Sequence, residues 1–302
     1  MLPYVFVITD NNFGMIMRKI IILILACVSV VACKESPKTV NESDSLVAAD
    51  AVVTNDSIAD SDSIDSMEWI DEELYPKSKG LPLFVLTTGV FHEDETSPEM
   101  INKGWFGIFQ DRGKYYIAPT TLTIQKAFDV ISDEEADEHN SSKWTGWEVK
   151  TSHIDTSLVL ISSSSRLSSH DIKTIPLEKD FVEPNGKIIF TYNGSSYTLY
   201  STADLVPSEY NKNEMSIQNY KLYLRGYKEG KEIHQLLAAT SYFDDAMFEI
   251  LLIGDIDNDG FPDFVLNTTY HYNLYRPTVY LSSFAEKDQL VKVVGLHGSV
   301  GC

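Results

Sequence analysis

Cysteine is scarce in this chain: there are three in 302 residues, Cys27, Cys33 and Cys302, too few for a disulfide framework. Basic charge is scarce as well. Lys and Arg total 24 against 44 Asp and Glu, for a net charge of −20. That balance repels phosphate backbones, so nucleic-acid binding through a basic surface is excluded. No apolar run reaches the roughly 20 residues that a membrane-spanning helix needs, and no long segment repeats its apolar residues at the helical period. Catalytic signatures are missing too: there is no Gly-x-Ser-x-Gly elbow, Walker loop, dinucleotide glycine fingerprint or His-Glu-x-x-His. The seven histidines are scattered, with none paired at helical spacing for zinc. The sequence names no reaction and leans away from an enzyme.

Charge divides the chain into three. Residues 1–33 hold one acid and two bases, whereas residues 34–76 hold 12 acids and 2 bases. The first segment reads Met17-Arg18-Lys19 and then 13 mostly apolar residues, Ile20 to Ala32, before Cys33. A basic start, a short apolar stretch and a small residue before the cut are the pattern of an export signal. The run Val30-Val31-Ala32-Cys33 resembles a bacterial lipobox, which implies that Cys33 is acylated and becomes the mature N-terminus. Ile24-Leu25-Ala26-Cys27 is a second, weaker candidate, with a shorter apolar stretch ahead of it. Asp10 and Asn11-Asn12 suit such a signal poorly, so translation is expected to start at Met15 or Met17. Cys302 then remains as the one thiol of the mature chain and is expected to be inert.

Residues 34–76 read as a disordered acidic tether. Between Asn41 and Ser66 there are six Ser and six Asp and no aromatic, too little hydrophobicity to offset the entropy of ordering. A flexible coil of this length reaches on the order of 35–40 Å, a spacer between a lipid anchor and a domain.

Residues 77–302 read as strands. Short aromatic and β-branched runs recur at Leu83–Leu86, Trp105–Phe109, Tyr115–Ile117, Trp147–Val149, Leu158–Ile161, Ile188–Tyr192, Tyr197–Tyr200, Met247–Ile253, Phe264–Leu266, Val279–Leu281 and Leu290–Val294. Leu122, Ile124, Phe128 and Val130 fall on one face of a further strand. Two-residue hairpin turns are expected at Asn193-Gly194 and Glu229-Gly230, and a third turn at Asp111-Arg112-Gly113. The fold expected is all-β and antiparallel, a sandwich or partly closed barrel. No period of 40–60 residues repeats, which argues against a full propeller.

One segment carries chemistry: Gly254-Asp-Ile-Asp-Asn-Asp-Gly-Phe-Pro-Asp263. Asp255, Asp257, Asp259 and Asp263 occupy loop positions 1, 3, 5 and 9, Gly260 position 6, and Phe261 position 7, where a backbone carbonyl is available. Alternate carboxylates aim at one point and the glycine permits the sharp turn. Oxygen-only donors on a flexible loop favour Ca²⁺ over Mg²⁺ and exclude thiolate-seeking metals. Position 12, where an EF-hand carries Glu, is Leu266, and the flanks read as strands. The segment resembles the calcium loop of FG-GAP/VCBS-type repeats, which implies a strand–calcium-loop–strand hairpin. The chain as a whole resembles tethered envelope lipoproteins of Gram-negative bacteria, which implies a membrane address, with the outer membrane favoured, and no particular chemistry.

Downstream of the loop, Tyr270, His271, Tyr272, Tyr275 and Arg276 crowd one connection. They are read either as a platform for a glycan or an envelope protein or as rings capping the core. His170-Asp171 near Ser162–Ser165 supplies the residue types of a triad in a polar loop where they co-occur by chance. Three functions stay open: a non-catalytic binding module on a lipid-anchored tether, a structural component of the envelope, and a glycan hydrolase. The last needs paired carboxylates, for which Asp244, Asp245 and Glu249 are nearest in sequence.

Overall fold

The computed structural model describes residues 73–133, 140–208 and 212–301. Cys27, Cys33, Cys302, the export signal and all but the last few residues of the acidic tether lie outside the described residues. Among those described, no helix is long and apolar enough to cross a membrane, and helical structure is limited to three 3₁₀ turns at Pro98–Asn102, Ser141–Lys143 and Ser282–Phe284.

The rest is strand. β1 (Val85–Leu86), β2 (Gly89–Phe91), β3 (Trp105–Asp111), β4 (Lys114–Thr120), β5 (Leu122–Ala127), β6 (Gly146–Thr151), β7 (Thr156–Ser162) and β8 (His170–Ile172) come first. Four longer strands follow: β9 (Lys187–Tyr192), β10 (Ser195–Pro207), β11 (Met215–Lys228) and β12 (Lys231–Tyr242). The series ends with β13 (Glu249–Gly254), β14 (Asp263–Asn267), β15 (Leu274–Tyr275), β16 (Pro277–Leu281), β17 (Lys292–Leu296) and β18 (Ser299–Val300). They form open sheets in the orders β1-β7-β3-β4-β8, β2-β6-β5, β12-β11-β10-β9 and β13-β14-β16-β17, with a small β15-β18 pair. Every ladder is antiparallel. None closes into a barrel, so the all-β expectation holds in its sandwich form.

Local chemistry sets the hairpins. Arg112-Gly113, Asn193-Gly194 and Glu229-Gly230 each take two successive positive φ values, 47° and 82°, 45° and 80°, 52° and 77°. This is the two-residue turn whose twist matches that of the flanking strands. Asp111 pairs with Lys114, Tyr192 with Ser195 and Lys228 with Lys231 across them.

The β13-β14-β16-β17 sheet lies between two others. β14 and β16 are buried at every residue. Phe264, Leu266 and Tyr280 pack with Phe190, Leu199, Leu222 and Leu224 of the β9–β12 sheet. Their neighbours Val265, Val279 and Leu281 point the other way, onto Val85, Ile108, Ile117 and Val159 of the five-stranded sheet. The far face of that sheet offers Leu86, Trp105 and Leu160 to Phe91 and Val149 of the three-stranded one. A strand covered on both faces has no use for alternating polar residues, which is why these segments read as unbroken apolar runs. Burying a Leu, Ile or Phe is worth about 1.5–3 kcal/mol, so this middle sheet is the stable frame of the domain.

Three details depart from the sequence reading. The strand expected to run to Val130 ends at Ala127, because Asp129 Oδ1 captures the N–H groups of Ile131 and Ser132 at 3.0 and 3.1 Å and turns the chain. Val130 is exposed in consequence. The packed chain also begins before residue 77: Leu74 is buried and Tyr75 exchanges backbone hydrogen bonds with Ala239 at the edge of β12. Finally, β2, β8, β15 and β18 are only two or three residues long and carry no periodic signal in the sequence.

Candidate metal centre

The acidic loop joins β13 to β14, with Gly254 paired to Asp263 at its neck. Asn258 and Gly260 take φ of 61° and 90°, the left-handed conformation that Asn tolerates and Gly adopts freely. Within the loop, Asp255 accepts from the N–H groups of Asp259 and Gly260 at 3.0 and 2.9 Å. Asp263 accepts from Ile256 and Asp257 at 2.7 and 3.2 Å, and its second oxygen takes the N–H of Ser282 at 2.6 Å. Asp257 receives the Ser283 N–H at 3.3 Å. The loop is therefore clamped to the 3₁₀ turn after β16. On its other side the Asn193 amide of the β9–β10 turn donates to the Gly260 carbonyl at 2.8 Å.

One oxygen from each of Asp255, Asp257 and Asp263 lies within 4.8 Å of the other two, and no other group of His, Cys, Asp or Glu among the described residues converges in this way. Asp259 stands apart. Its carboxylate accepts from the Ser282 hydroxyl, at 2.9 Å to either oxygen, and from the Phe261 N–H. The ring of Phe261 is half exposed.

The converging carboxylates are costly as anions. At an effective dielectric near 20, each ionised pair at this separation repels by about 3.5 kcal/mol, and burial adds to it. Asp263 is 0 % exposed and Asp257 7 %. Burial pushes the Asp263 carboxyl well above the usual range, with the charge of Asp257 adding, in spite of its three N–H donors. Burial likewise raises Asp257, helped by the charges of Asp259 and Asp255. The phenol of Tyr192 feels the same field: burial first, then Asp255 and Asp263, push it up to about 12. Most informative is Asp257 Oδ1, a buried carboxylate oxygen with no hydrogen-bond partner. An unpaired buried oxygen of this kind calls for an explanation, and an ion is one. The donor set, all oxygen and mostly carboxylate, fits a hard divalent cation.

The aromatic connection is not one surface. Arg276 is fully buried, donating to the Thr268 hydroxyl at 2.8 Å and the Pro76 carbonyl at 2.6 Å, so it fastens the chain at residue 76 and is out of reach of a ligand. Tyr270 packs with Leu74 and Leu274. Only Tyr272, 57 % exposed, and the more modestly exposed Tyr275 and His271 face outward. Tyr272 packs against the His271 ring at 4.4 Å, and His271 Nε2 lies 3.1 Å from Asp244. The triad residues do not assemble either: the two ring nitrogens of His170 each sit 2.9 Å from a carbonyl oxygen, of Ser168 and of Asp255. Glu249 accepts from the Asn267 amide.

Two features had no sequence signal. Ser282 and Ser283 belong to the acidic site from 19 residues beyond Asp263. His92 meets the nearly buried Asp129 at 2.6 Å from Nδ1, 37 residues away. Comparison of the chain with protein-family models, with curated proteins and with solved structures finds no match.

Proposed function

We propose that this protein is a lipid-anchored, calcium-stabilised, non-catalytic binding module of the bacterial cell envelope. The observation that carries it is the unpaired, buried Oδ1 of Asp257 among converging carboxylates. Asp255, Asp257 and Asp263 would hold the ion, with Asp259 and the Phe261 carbonyl the further donors that the loop pattern supplies. Bound there, Ca²⁺ supplies the positive charge that the buried carboxylates lack. The loop's own N–H bonds and the Ser282–Ser283 turn hold the carboxylates in place, joining β13, β14 and the segment after β16. The anchor rests on Cys33 and the acidic segment behind it.

Calcium titration of the purified protein by calorimetry, against Asp257→Asn, tests the metal. One equivalent of Ca²⁺ with a Kd of about 10⁻⁴–10⁻³ M, the range of extracellular sites, is expected in the parent and none in the variant. Equal heats from the two proteins would refute the site.

A further inference from the structure

Beside the acidic loop lies a cavity of about 270 Å³. The exposed end of β11 gives it Tyr227 and Lys228, the loop gives it Asp259 and Phe261, and the turn after β16 gives it Ser282; Tyr197 and Leu290 also line it. None of these residues belongs to the aromatic connection at 270–276. Two of the rings are unusually open for large apolar side chains, Tyr227 at 61 % and Phe261 at 52 % exposed. They stand at the mouth of a concave site, where ligand-binding aromatics are placed.

We infer that this cavity binds a single ring of a neutral saccharide. Its size is just under the roughly 300–1,000 Å³ of sites for drug-sized ligands, which suits one ring better than a folded peptide. A pyranose offers a C–H face and a rim of hydroxyls. Tyr227 and Phe261 match the face. Asp259 matches the rim, because its carboxylate is fixed by the Ser282 hydroxyl and the Phe261 N–H yet is exposed to solvent, and a carboxylate has about four acceptor positions to fill. The charge balance of the wall favours a neutral ligand. One carboxylate and one ammonium line the cavity, Asp259 and Lys228, so the wall carries no net charge, and Lys228 Nζ is held on the carbonyls of Glu286 and Gln289 at 3.0 and 2.9 Å. A phosphate or uronate therefore finds no net positive charge in the wall to offset its lost hydration.

The inference deepens the binding-module reading and rests on it, naming the ligand class and the site. Saturation-transfer NMR on the protein with glucose, galactose, mannose, N-acetylglucosamine and their disaccharides tests it, with glucose 6-phosphate as the anionic control. At least one neutral sugar is expected to bind, and the phosphate ester is not. Tyr227→Ala and Phe261→Ala should each weaken that sugar by about three- to tenfold, the worth of one aromatic contact, with unchanged melting temperatures, while Tyr227→Phe should retain it. Failure of every neutral sugar to bind, or binding indifferent to both alanine variants, overturns the assignment. Repeating the titration in chelator separates the two claims. Calcium-dependent melting without sugar binding sinks the cavity alone, and sugar binding without any calcium response sinks the metal alone.

Discussion

His297 offers the sharpest pH test of the packing. It follows β17 and is 6 % exposed, with Nε2 3.1 Å from the Glu95 carbonyl, Nδ1 3.3 Å from the Thr87 hydroxyl, and its ring edge-on to Phe91 at 5.0 Å. A carbonyl only accepts, so Nε2 carries the proton and Nδ1 accepts from Thr87: the site is built for neutral imidazole. Burial lowers the pKa from 6.5 to about 4. A depressed folded-state pKa means that the unfolded chain binds more protons between these values. The contribution is therefore present above about pH 6.5 and is lost as pH falls toward 4. At about 1.4 kcal/mol per unit, a drop from about pH 7 to about pH 5 costs about 2 kcal/mol, and completing the transition costs about 3. His297→Gln keeps a donor and an acceptor and cannot titrate. Urea unfolding of both proteins at the two pH values should show the parent losing about 2 kcal/mol more than the variant. Equal losses would refute the assignment of a buried neutral histidine.

Three other outcomes follow from the same contacts and from the sequence. Asp129→Asn weakens the bond to His92 and the capping of Ile131 and Ser132, and should cost about 1–3 kcal/mol in chemical denaturation; a loss within error would remove that turn from the stability account. Ser282→Ala deletes the hydroxyl that holds Asp259 but leaves the backbone N–H on Asp263. It should cost about 1 kcal/mol and leave calcium stoichiometry unchanged in calorimetry. Cys33→Ser should shift the protein from the membrane fraction to the soluble envelope fraction, whereas release by Cys27→Ser alone would place the acylated residue at the earlier candidate.

Legibility in the sequence followed the physics of burial. Phe264–Leu266 and Val279–Leu281 announce themselves because both faces of those strands are covered. The three hairpin turns announce themselves because positive φ demands particular residues. Short strands such as β8 carry too few residues to show a period, and their existence depends on a neighbour, here Tyr115–Ile117 of β4. The acidic loop was legible as a motif, since its converging groups lie within nine residues. What closes around it was not: Ser282 and Ser283 arrive through the fold, and nothing in a pair of serines marks them beforehand. The same limit explains Arg276, which looked like a ligand group in a row of tyrosines. Its partner is the carbonyl of residue 76, 200 positions away.

Thermal melting in chelator and in millimolar Ca²⁺, for the parent and for Asp257→Asn, tests the central claim most directly. An ion that binds only the folded state adds RT ln(1 + [Ca²⁺]/Kd), about 1 kcal/mol for a Kd of about 10⁻⁴–10⁻³ M, which raises the melting temperature of a domain of this size by about 2–4 °C. The parent should show that rise with Ca²⁺ and much less of it with Mg²⁺, whose octahedral shell suits this loop poorly. Asp257→Asn should show none, and in chelator it should melt no lower than the parent, because it relieves a buried unpaired charge. Identical melting of the parent in chelator and calcium, with no ion bound in calcium-soaked crystals, would contradict the account.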